Sequence, residues 1–238
     1  MRYVSKGQEP RDLRKWKADN AASPQNMKYG NLPTEVNTQV RAALLIEQGY
    51  LCAYTLRRLQ SVADCHIEHV QPQNAAPGLG LDYANMADCF PKDGGDRSSG
   101  YGAPIKGGQP VSLNVNFISP HQIGCADRFC YNGKGEISAN QNIVAVLGTI
   151  SMLKLCHEQL VELRRRAIET HGLAVQRGTT RKARKLKSAA EASRFAYEVL
   201  QPDANGQLEP FCVALAQVAI EYAAKEETRS QRLRAQHR

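Results

Sequence analysis

The chain has 238 residues and a formal net charge of +8, from 31 lysines and arginines against 23 aspartates and glutamates. A chain of this length can bury a sizeable core, so we expect one compact domain with helical additions. No apolar run approaches the roughly 20 residues of a membrane helix, and seven cysteines without a secretory leader argue against a disulfide-built class, so we expect a cytoplasmic protein without a membrane segment.

Residues 1–32 are polar and contain Pro10, Pro24 and Gly30. This composition predicts an extended N-terminal arm with at most one short helix, near residues 11–18. The arm has too few apolar residues for a core of its own. We therefore expect it to lie on a partner or on the body of the protein.

A helix is predicted to begin at Thr34 and to end at Gly49, because apolar residues recur at helical spacing between them. Thr34 is the expected N-cap, with Glu35 favourably placed in the first turn. Residues 50–54 are expected to form a first strand or turn.

Residues 64–70 predict a second strand, which Pro72 ends because proline lacks a backbone donor. The Pro- and Gly-rich residues 73–81 and the Gly-rich residues 91–109 indicate loops. Alternation predicts a further strand over residues 111–118. A hairpin is then expected over residues 128–137, with its turn at the Asn-Gly pair 132–133. Beyond it the pattern is helical in three segments, residues 139–170, 188–200 and 210–229.

Two histidines, a carboxylate and an asparagine lie within twenty residues, as His66, Glu68, His69 and Asn85. Strand alternation places His66 and Glu68 on one face and directs His69 away from them. We expect the chain to turn before Pro72 and to bring His69 towards the same site, as strand ends often do. Such a set can hold a divalent metal and activate water, although His and Glu clusters are more often structural hydrogen-bonded groups.

The order Glu68-His69, a proline and then Asn85 resembles the first two elements of the HNH, or ββα-metal, endonuclease family. Further blocks along the chain are similar to the PtuB subfamily of these proteins. Together the blocks cover about residues 1 to 170: residues 6–10, 16–17, 45–54, 66–69, 85–86, 106–107 and 127–137, and the helix near 149–155 that leads into 164–166.

The resemblance implies an α+β, mainly helical fold in which a small ββα-metal nuclease core is embedded in helices. The corresponding segments are the arm (1–32), a nuclease core with a Gly-rich loop insertion (33–138) and a helical region with a basic segment (139–238). It also implies a toxic effector that partners a PtuA-like ABC-type ATPase in Septu antiphage systems and in certain retron systems. A retron reverse transcriptase and its RNA-DNA hybrid, reached through the ATPase, are the further partners that it suggests.

Each residue of the motif receives an expected role. His69 is the expected general base, because neutral imidazole predominates near neutral pH. Glu68 supplies a hard oxygen for Mg²⁺ or Mn²⁺. Asn85 either ligates the metal through its amide oxygen or orients His69 by a hydrogen bond. His66 is a further metal ligand or a contact to the scissile phosphate.

The chain departs from the family pattern in two places. The stretch 101–107 lacks the His or Asn that usually closes the site, so the third ligand is His66, Asp88 or water, and Lys106 is expected to contact phosphate or nucleic acid. Of the cysteines that form a structural zinc knuckle in relatives, Cys52 and Cys89 alone remain. Because tetrahedral structural zinc needs four ligands, we expect none here.

Positive charge concentrates in residues 164–166 and in residues 177–187, the second without any acidic residue. A block like the second one attracts phosphate backbones, and such blocks also form solvated loops or contact an acidic partner. Given the resemblance, we favour nucleic-acid contact and assign it to Arg181, Lys182, Arg184 and Lys185.

The leading hypothesis is therefore a metal-dependent endonuclease whose substrate is DNA or tRNA, with no base-reading motif to separate the two. The alternative is a catalytically impaired subunit that binds nucleic acid or the ATPase. A purely structural metal-binding module is the third class, and the missing cysteines argue against it. No Gly-x-x-x-x-Gly-Lys-Ser/Thr pattern occurs, which argues against ATP binding by this chain.

Overall fold

The computed structural model describes residues 1–92, 94–95, 99–141, 143–174 and 187–236. Within these residues the fold is a mixture of seven α-helices and two small antiparallel sheets, so the predicted α+β class, with more helix than strand, is confirmed. The predicted nucleic-acid contacts Arg181, Lys182, Arg184 and Lys185 lie outside the described residues.

The elements are α1 (Arg11–Asp19), α2 (Thr34–Glu47), β1 (His66–His69), β2 (Met86–Cys89), α3 (Ala103–Lys106), β3 (Phe129–Tyr131), β4 (Ile137–Ala139), α4 (Val144–Met152), α5 (Glu158–Thr170), α6 (Ala189–Glu198) and α7 (Cys212–Gln236).

The N-terminal arm lies on the body of the protein. Its predicted short helix is confirmed as α1, whose Leu13 is buried against Val40 and Leu44 of α2. Before α1, the ammonium of Lys6 lies 2.9 Å from a carboxylate oxygen of Glu47 at the end of α2. The arm is therefore held by both apolar burial and a partly buried ion pair.

Helix α2 begins at Thr34, as predicted, but its cap differs from the prediction. Pro33 occupies the N-cap position and no side chain accepts a hydrogen bond there, so the assignment of Thr34 as the cap is wrong. Thr34 already has a helical conformation, because a proline just before the helix supplies a fixed φ that leads into it.

Strand β1 pairs with β2 and not with residues 50–54. The antiparallel register places His66 opposite Cys89 and Glu68 opposite Ala87. Residues 50–54 contribute a single bridge, from Leu51 to Arg58. All four residues of β2 are buried, so β2 lacks the alternation that marks a half-exposed strand, and the sequence analysis did not assign it.

The second sheet is the predicted hairpin, which β3 and β4 confirm. Its turn packs tightly on α5: a Cβ atom at Gly135, whose φ is +81°, would lie 2.4 Å from the carbonyl oxygen of Val161. Glycine at position 135 thus allows the sheet to approach the helix.

The strand predicted over residues 111–118 is wrong, since this stretch has only an isolated bridge between Leu113 and Phe117.

The predicted helix over residues 139–170 is two helices, α4 and α5, separated by a turn in which Lys154 has a φ of +44°. Apolar spacing continues through this turn because both helices pack on the same core, and the pattern therefore conceals the break. The two later predicted helices are confirmed as α6, with a Ser188–Glu191 capping box, and α7.

The basic run at residues 164–166 is structural. Arg164 is 2% exposed and donates to the carbonyl oxygens of Gly135 and Leu155 at 2.8 and 2.7 Å. Arg165 and Arg166 form ion pairs with glutamates of α5. Arg164 is therefore not available to an external phosphate, whereas the Arg166 side chain is 70% exposed.

The largest core cluster combines side chains from all three predicted segments, including Met1, Phe117 and Leu215. No helix in the described ranges is long and apolar enough to cross a membrane.

Candidate active site

The end of β1 borders a cavity of about 390 Å³. Three of the predicted site residues on this strand line the cavity: His66, Glu68 and His69. This agrees with the expectation that a turn before Pro72 brings His69 towards the same site as His66 and Glu68. Residues from the arm, the β1–β2 connection and α3 complete the lining, among them Tyr29, Gln73 and Pro104.

His69 is held by hydrogen bonds to both ring nitrogens. Its Nε2 lies 2.9 Å from the carbonyl oxygen of Gly80, and its Nδ1 lies 3.1 Å from the side-chain nitrogen of Gln73. Because a carbonyl oxygen can only accept, Nε2 carries the proton and Nδ1 carries a lone pair in the neutral ring. The rings of Tyr29 and His69 form a T-shaped pair with their centroids 4.7 Å apart.

The imidazole of His69 is only 6% exposed. Burial lowers the pKa of His69 below its usual value of 6.5, since the charged ring loses hydration that its hydrogen bond to Gly80 does not restore. His69 is therefore neutral, with a defined basic nitrogen, at neutral pH.

Glu68 is almost buried and forms an ion pair with Lys106. The Lys106 ammonium donates to Glu68 Oε1 at 2.6 Å and to the carbonyl oxygen of His69 at 3.0 Å. Tyr54 also donates to Oε1, at 3.3 Å. The Lys106 side chain has no exposed area, which contradicts its predicted role as a phosphate contact.

His66 faces the second oxygen of Glu68. Its Nε2 lies 3.9 Å from Glu68 Oε2, and its Nδ1 lies 2.5 Å from the carbonyl oxygen of Pro91. Burial opposes the charged form of His66, but the nearby Glu68 carboxylate and the hydrogen bond to the Pro91 carbonyl outweigh it and raise the pKa of the ring. The carbonyl partner places a proton on Nδ1 and directs Nε2 towards the carboxylate.

Asn85 lies behind the cavity and not in its lining. Its amide oxygen accepts from the backbone of Gln71 at 2.7 Å, and its amide nitrogen donates to the carbonyl oxygens of Gln71 and Leu79 at 2.9 and 3.3 Å. Neither predicted role, as metal ligand or as direct partner of His69, has a contact here. Asn85 instead fixes the β1–β2 connection next to Gly80, whose carbonyl orients His69.

Asp88 is wrong as a candidate third ligand. It stands opposite Ile67 in the sheet, and Ile67 packs in the apolar cluster with α2. Asp88 is 0% exposed, and neither carboxylate oxygen has a hydrogen-bond partner among the described residues. Burial raises the pKa of this carboxyl group well above its usual value.

The two remaining knuckle cysteines, Cys52 and Cys89, are fully buried. Burial alone would raise the pKa of Cys52, but hydrogen bonds from Cys89, Thr55 and the Phe90 amide lower it to about 5. Across the described part of the chain, no three His, Cys, Asp or Glu side chains are arranged to hold a metal ion. The expectation of no structural zinc stays a prediction.

A single hard cation nevertheless fits the donor atoms at the cavity wall. His66 Nε2 and Glu68 Oε2 face each other, and Mg²⁺ usually keeps several waters and needs only one or two carboxylates from the protein. These two side chains are the residues that would hold such an ion.

Tyr29 and Gln73 both contact His69, and neither was predicted as a site residue. Tyr29 lies forty residues away in a polar arm and carried no signal of its own. Gln73 follows the motif by four residues, but in a loop whose course the sequence does not define.

Comparison with protein-family models finds no match to this chain, and comparison with curated proteins finds none.

Proposed function

We propose that the protein is a metal-dependent endonuclease of the HNH type that hydrolyses phosphodiester bonds of DNA or tRNA. The supporting observation is the cavity at the end of β1, where a neutral histidine of defined tautomer lies beside a His–Glu pair. The hairpin of β1 and β2 with α3 against it would be the ββα-metal core.

His69 would act as the general base. Its Nδ1 accepts a proton from water once the Gln73 amide moves from the lone pair, and the imidazolium that forms keeps its Nε2 hydrogen bond to Gly80. The carbonyl of Gly80 stabilises that charged ring and prevents it from rotating. Tyr29 covers one side of the ring and limits the access of bulk water.

Mg²⁺ or Mn²⁺ at His66 and Glu68 would supply a positive charge for the phosphate oxygens. Glu68 offers one oxygen to the cavity because Lys106 and Tyr54 engage the other. His66 must lose its ring proton at Nε2 to act as a ligand. Both side chains come from one strand face, which fixes their separation.

The resemblance to PtuB proteins supports the larger setting of this proposal. There the chain is the toxic effector of a cytoplasmic antiphage complex with a PtuA-like ABC-type ATPase, in a Septu or retron system. The basic residues 177–187 would contact the nucleic-acid backbone, since lysine and arginine without nearby acidic residues bind phosphate in a salt-dependent manner.

The test uses the purified full chain, alone and with a PtuA-like ATPase, on DNA and on tRNA with Mg²⁺, Mn²⁺ or EDTA. We expect metal-dependent cleavage that His69→Ala reduces at least about a hundredfold, as the loss of a general base does. His171→Ala is the matched control, because His171 pairs with Glu209 away from the cavity, and it should cut like the wild type.

Equal cleavage by the His69→Ala variant and the wild type would disprove the assignment of the base. If the wild type cut neither substrate under any condition but retained nucleic acid or the ATPase, the chain would be the impaired binding subunit. The hydrogen bond of Gln73 to the His69 lone pair is the feature that would explain such inactivity.

A further inference from the structure

Lys106 is a fixed cation beside the candidate active site. Its side chain has no exposed area, and its ammonium contacts Glu68 Oε1 and the carbonyl oxygen of His69 at 2.6 and 3.0 Å. Lysine is rarely buried to this extent unless it is paired. The short helix α3 ends at Lys106, and the next residue, Gly107, has a φ of +49°. The backbone therefore turns away from the site directly after Lys106, while the Lys106 side chain remains buried.

The ion pair gives the two oxygens of Glu68 different roles. Oε1 accepts from Lys106 and Tyr54, whereas Oε2 faces His66 across 3.9 Å. One carboxylate oxygen is therefore free for a ligand in the cavity. Lys106 also prevents the carboxylate from rotating to offer both oxygens.

The charges at this wall nearly cancel. Glu68 is the one acidic side chain among the described residues that line the cavity, and the Lys106 ammonium compensates it. Sites for Mg²⁺ usually combine uncompensated carboxylates with substrate phosphates. A divalent ion that enters alone gains attraction from Glu68 but also meets repulsion from Lys106.

A phosphodiester supplies the negative charge and the oxygen ligands that this wall of the cavity lacks. It brings one negative charge and two non-bridging oxygens, which are hard ligands of the kind that Mg²⁺ and Mn²⁺ prefer. With a phosphate in the cavity, an ion at His66 and Glu68 would have a third ligand and a favourable electrostatic balance.

We propose that Lys106 is a positioning residue that makes metal binding depend on nucleic-acid phosphate. The ion and the phosphate enter the site together, and each raises the affinity of the other by the same factor. This inference rests on the proposed nuclease function, and it explains how the site would remain without metal until nucleic acid arrives.

The experiment measures the binding of Mn²⁺ to the full chain by the loss of the free-ion EPR signal. The His69→Ala background prevents cleavage, and titrations are made with no nucleic acid, with mixed-sequence DNA and with bulk tRNA. We expect weak binding to the protein alone and binding at least about tenfold tighter with the nucleic acid that is the substrate. Two controls measure Mn²⁺ that is bound outside the site. One is nucleic acid without protein, and the other is a Glu68→Gln variant, which lacks the carboxylate charge.

Removing the charge of Lys106 should weaken this dependence. Lys106→Gln keeps a hydrogen-bond donor for Glu68 without the positive charge, and it should bind Mn²⁺ about tenfold more tightly than Lys106 protein in the absence of nucleic acid. Lys106→Met, of similar length without a donor, should show the same gain. Circular dichroism and thermal unfolding report whether each variant is folded.

Mn²⁺ binding to the protein alone that is as tight as binding with nucleic acid would overturn the inference, whatever the variants do. Unchanged affinity in folded Lys106→Gln and Lys106→Met proteins would overturn it as well. If the wild type cuts nucleic acid while Mn²⁺ binding is independent of it, this inference fails and the nuclease proposal stands. If nothing is cut under any condition, the nuclease proposal fails.

Discussion

At the scale of single residues, the motif predicted which residues lie at the site. It predicted the role of each residue less well. His66, Glu68 and His69 meet at one cavity because they share a four-residue strand, which the sequence places reliably. Asn85 and Lys106 came from the same pattern, yet one fixes backbone and the other is buried in an ion pair. Their contacts depend on the path of loops, and loops carry no periodic signal.

The pKa of His69 should be visible in the pH dependence of cleavage. Burial lowers this pKa below 6.5. With saturating metal and nucleic acid, where His66 would already be held as a metal ligand, the acid limb of kcat should therefore have its midpoint below 6.5. Tyr29→Ala exposes the ring to water and should move that midpoint upward, towards 6.5, in a pH–rate profile.

Tyr197→Ala is the matched control for this prediction. Tyr197 is 71% exposed on α6 and is not among the residues that line the cavity, so its removal should leave the midpoint where it is in the wild type. A wild-type midpoint at or above 6.5 would show that His69 is not the group whose ionisation limits the reaction.

At the scale of elements, burial on both faces explains what the sequence concealed. Strand β2 lies between α2 on one side and the larger core on the other, so its residues lack the alternation that would identify a strand. Burial of both faces of β2 also places Asp88 in the protein interior, although its carboxylate made it a candidate metal ligand in the sequence. Helices α1, α2, α6 and α7 were predicted at the right places along the chain, although α7 continues to Gln236, past the predicted end at residue 229.

The connection between β1 and β2 should depend on Asn85. The side-chain amide of Asn85 accepts one hydrogen bond from Gln71 and donates two, to Gln71 and Leu79, so Asn85→Leu leaves partly buried backbone groups without partners. We expect the free energy of unfolding to fall by about 1–3 kcal/mol. Cleavage should fall about tenfold or more, because Gly80 and His69 lose their positions.

Urea denaturation and cleavage assays of the same preparation measure both effects. Asn205→Ala, in the exposed turn before α7, is the control and should change stability by less than about 0.5 kcal/mol. Full activity in a destabilised Asn85→Leu protein would mean that the connection does not position His69.

At the scale of the whole molecule, the C-terminal helices and the site-bearing sheet belong to one packed unit. The amide of Leu208 donates to the carbonyl of Gly49 at 3.0 Å, and a Cβ atom at Gly49 would lie 2.5 Å from the Leu208 side chain. The amide of Phe211 likewise donates to Leu56 at 3.0 Å. Composition predicted a single domain, but these contacts join residues about 150 apart, and no local pattern reports such pairings.

This coupling predicts a single unfolding transition for parts that are distant in sequence. Leu215 of α7 is fully buried in the larger cluster, so Leu215→Ala should lower the free energy of unfolding by about 2–5 kcal/mol. Trp16, the single tryptophan, lies on α1 at the opposite end of the chain. Its fluorescence and the far-UV circular dichroism should shift to lower denaturant by the same amount, because β2 contributes side chains to both core clusters.

Leu233→Ala provides the comparison within the same helix. Leu233 is 49% exposed near the end of α7, so its truncation should change stability by less than about 0.5 kcal/mol. If Leu215→Ala shifted the circular dichroism but left the Trp16 transition unchanged, the arm and the C-terminal helices would unfold independently. The cavity, whose lining includes Tyr29 of the arm, would then be only as stable as the weaker unit.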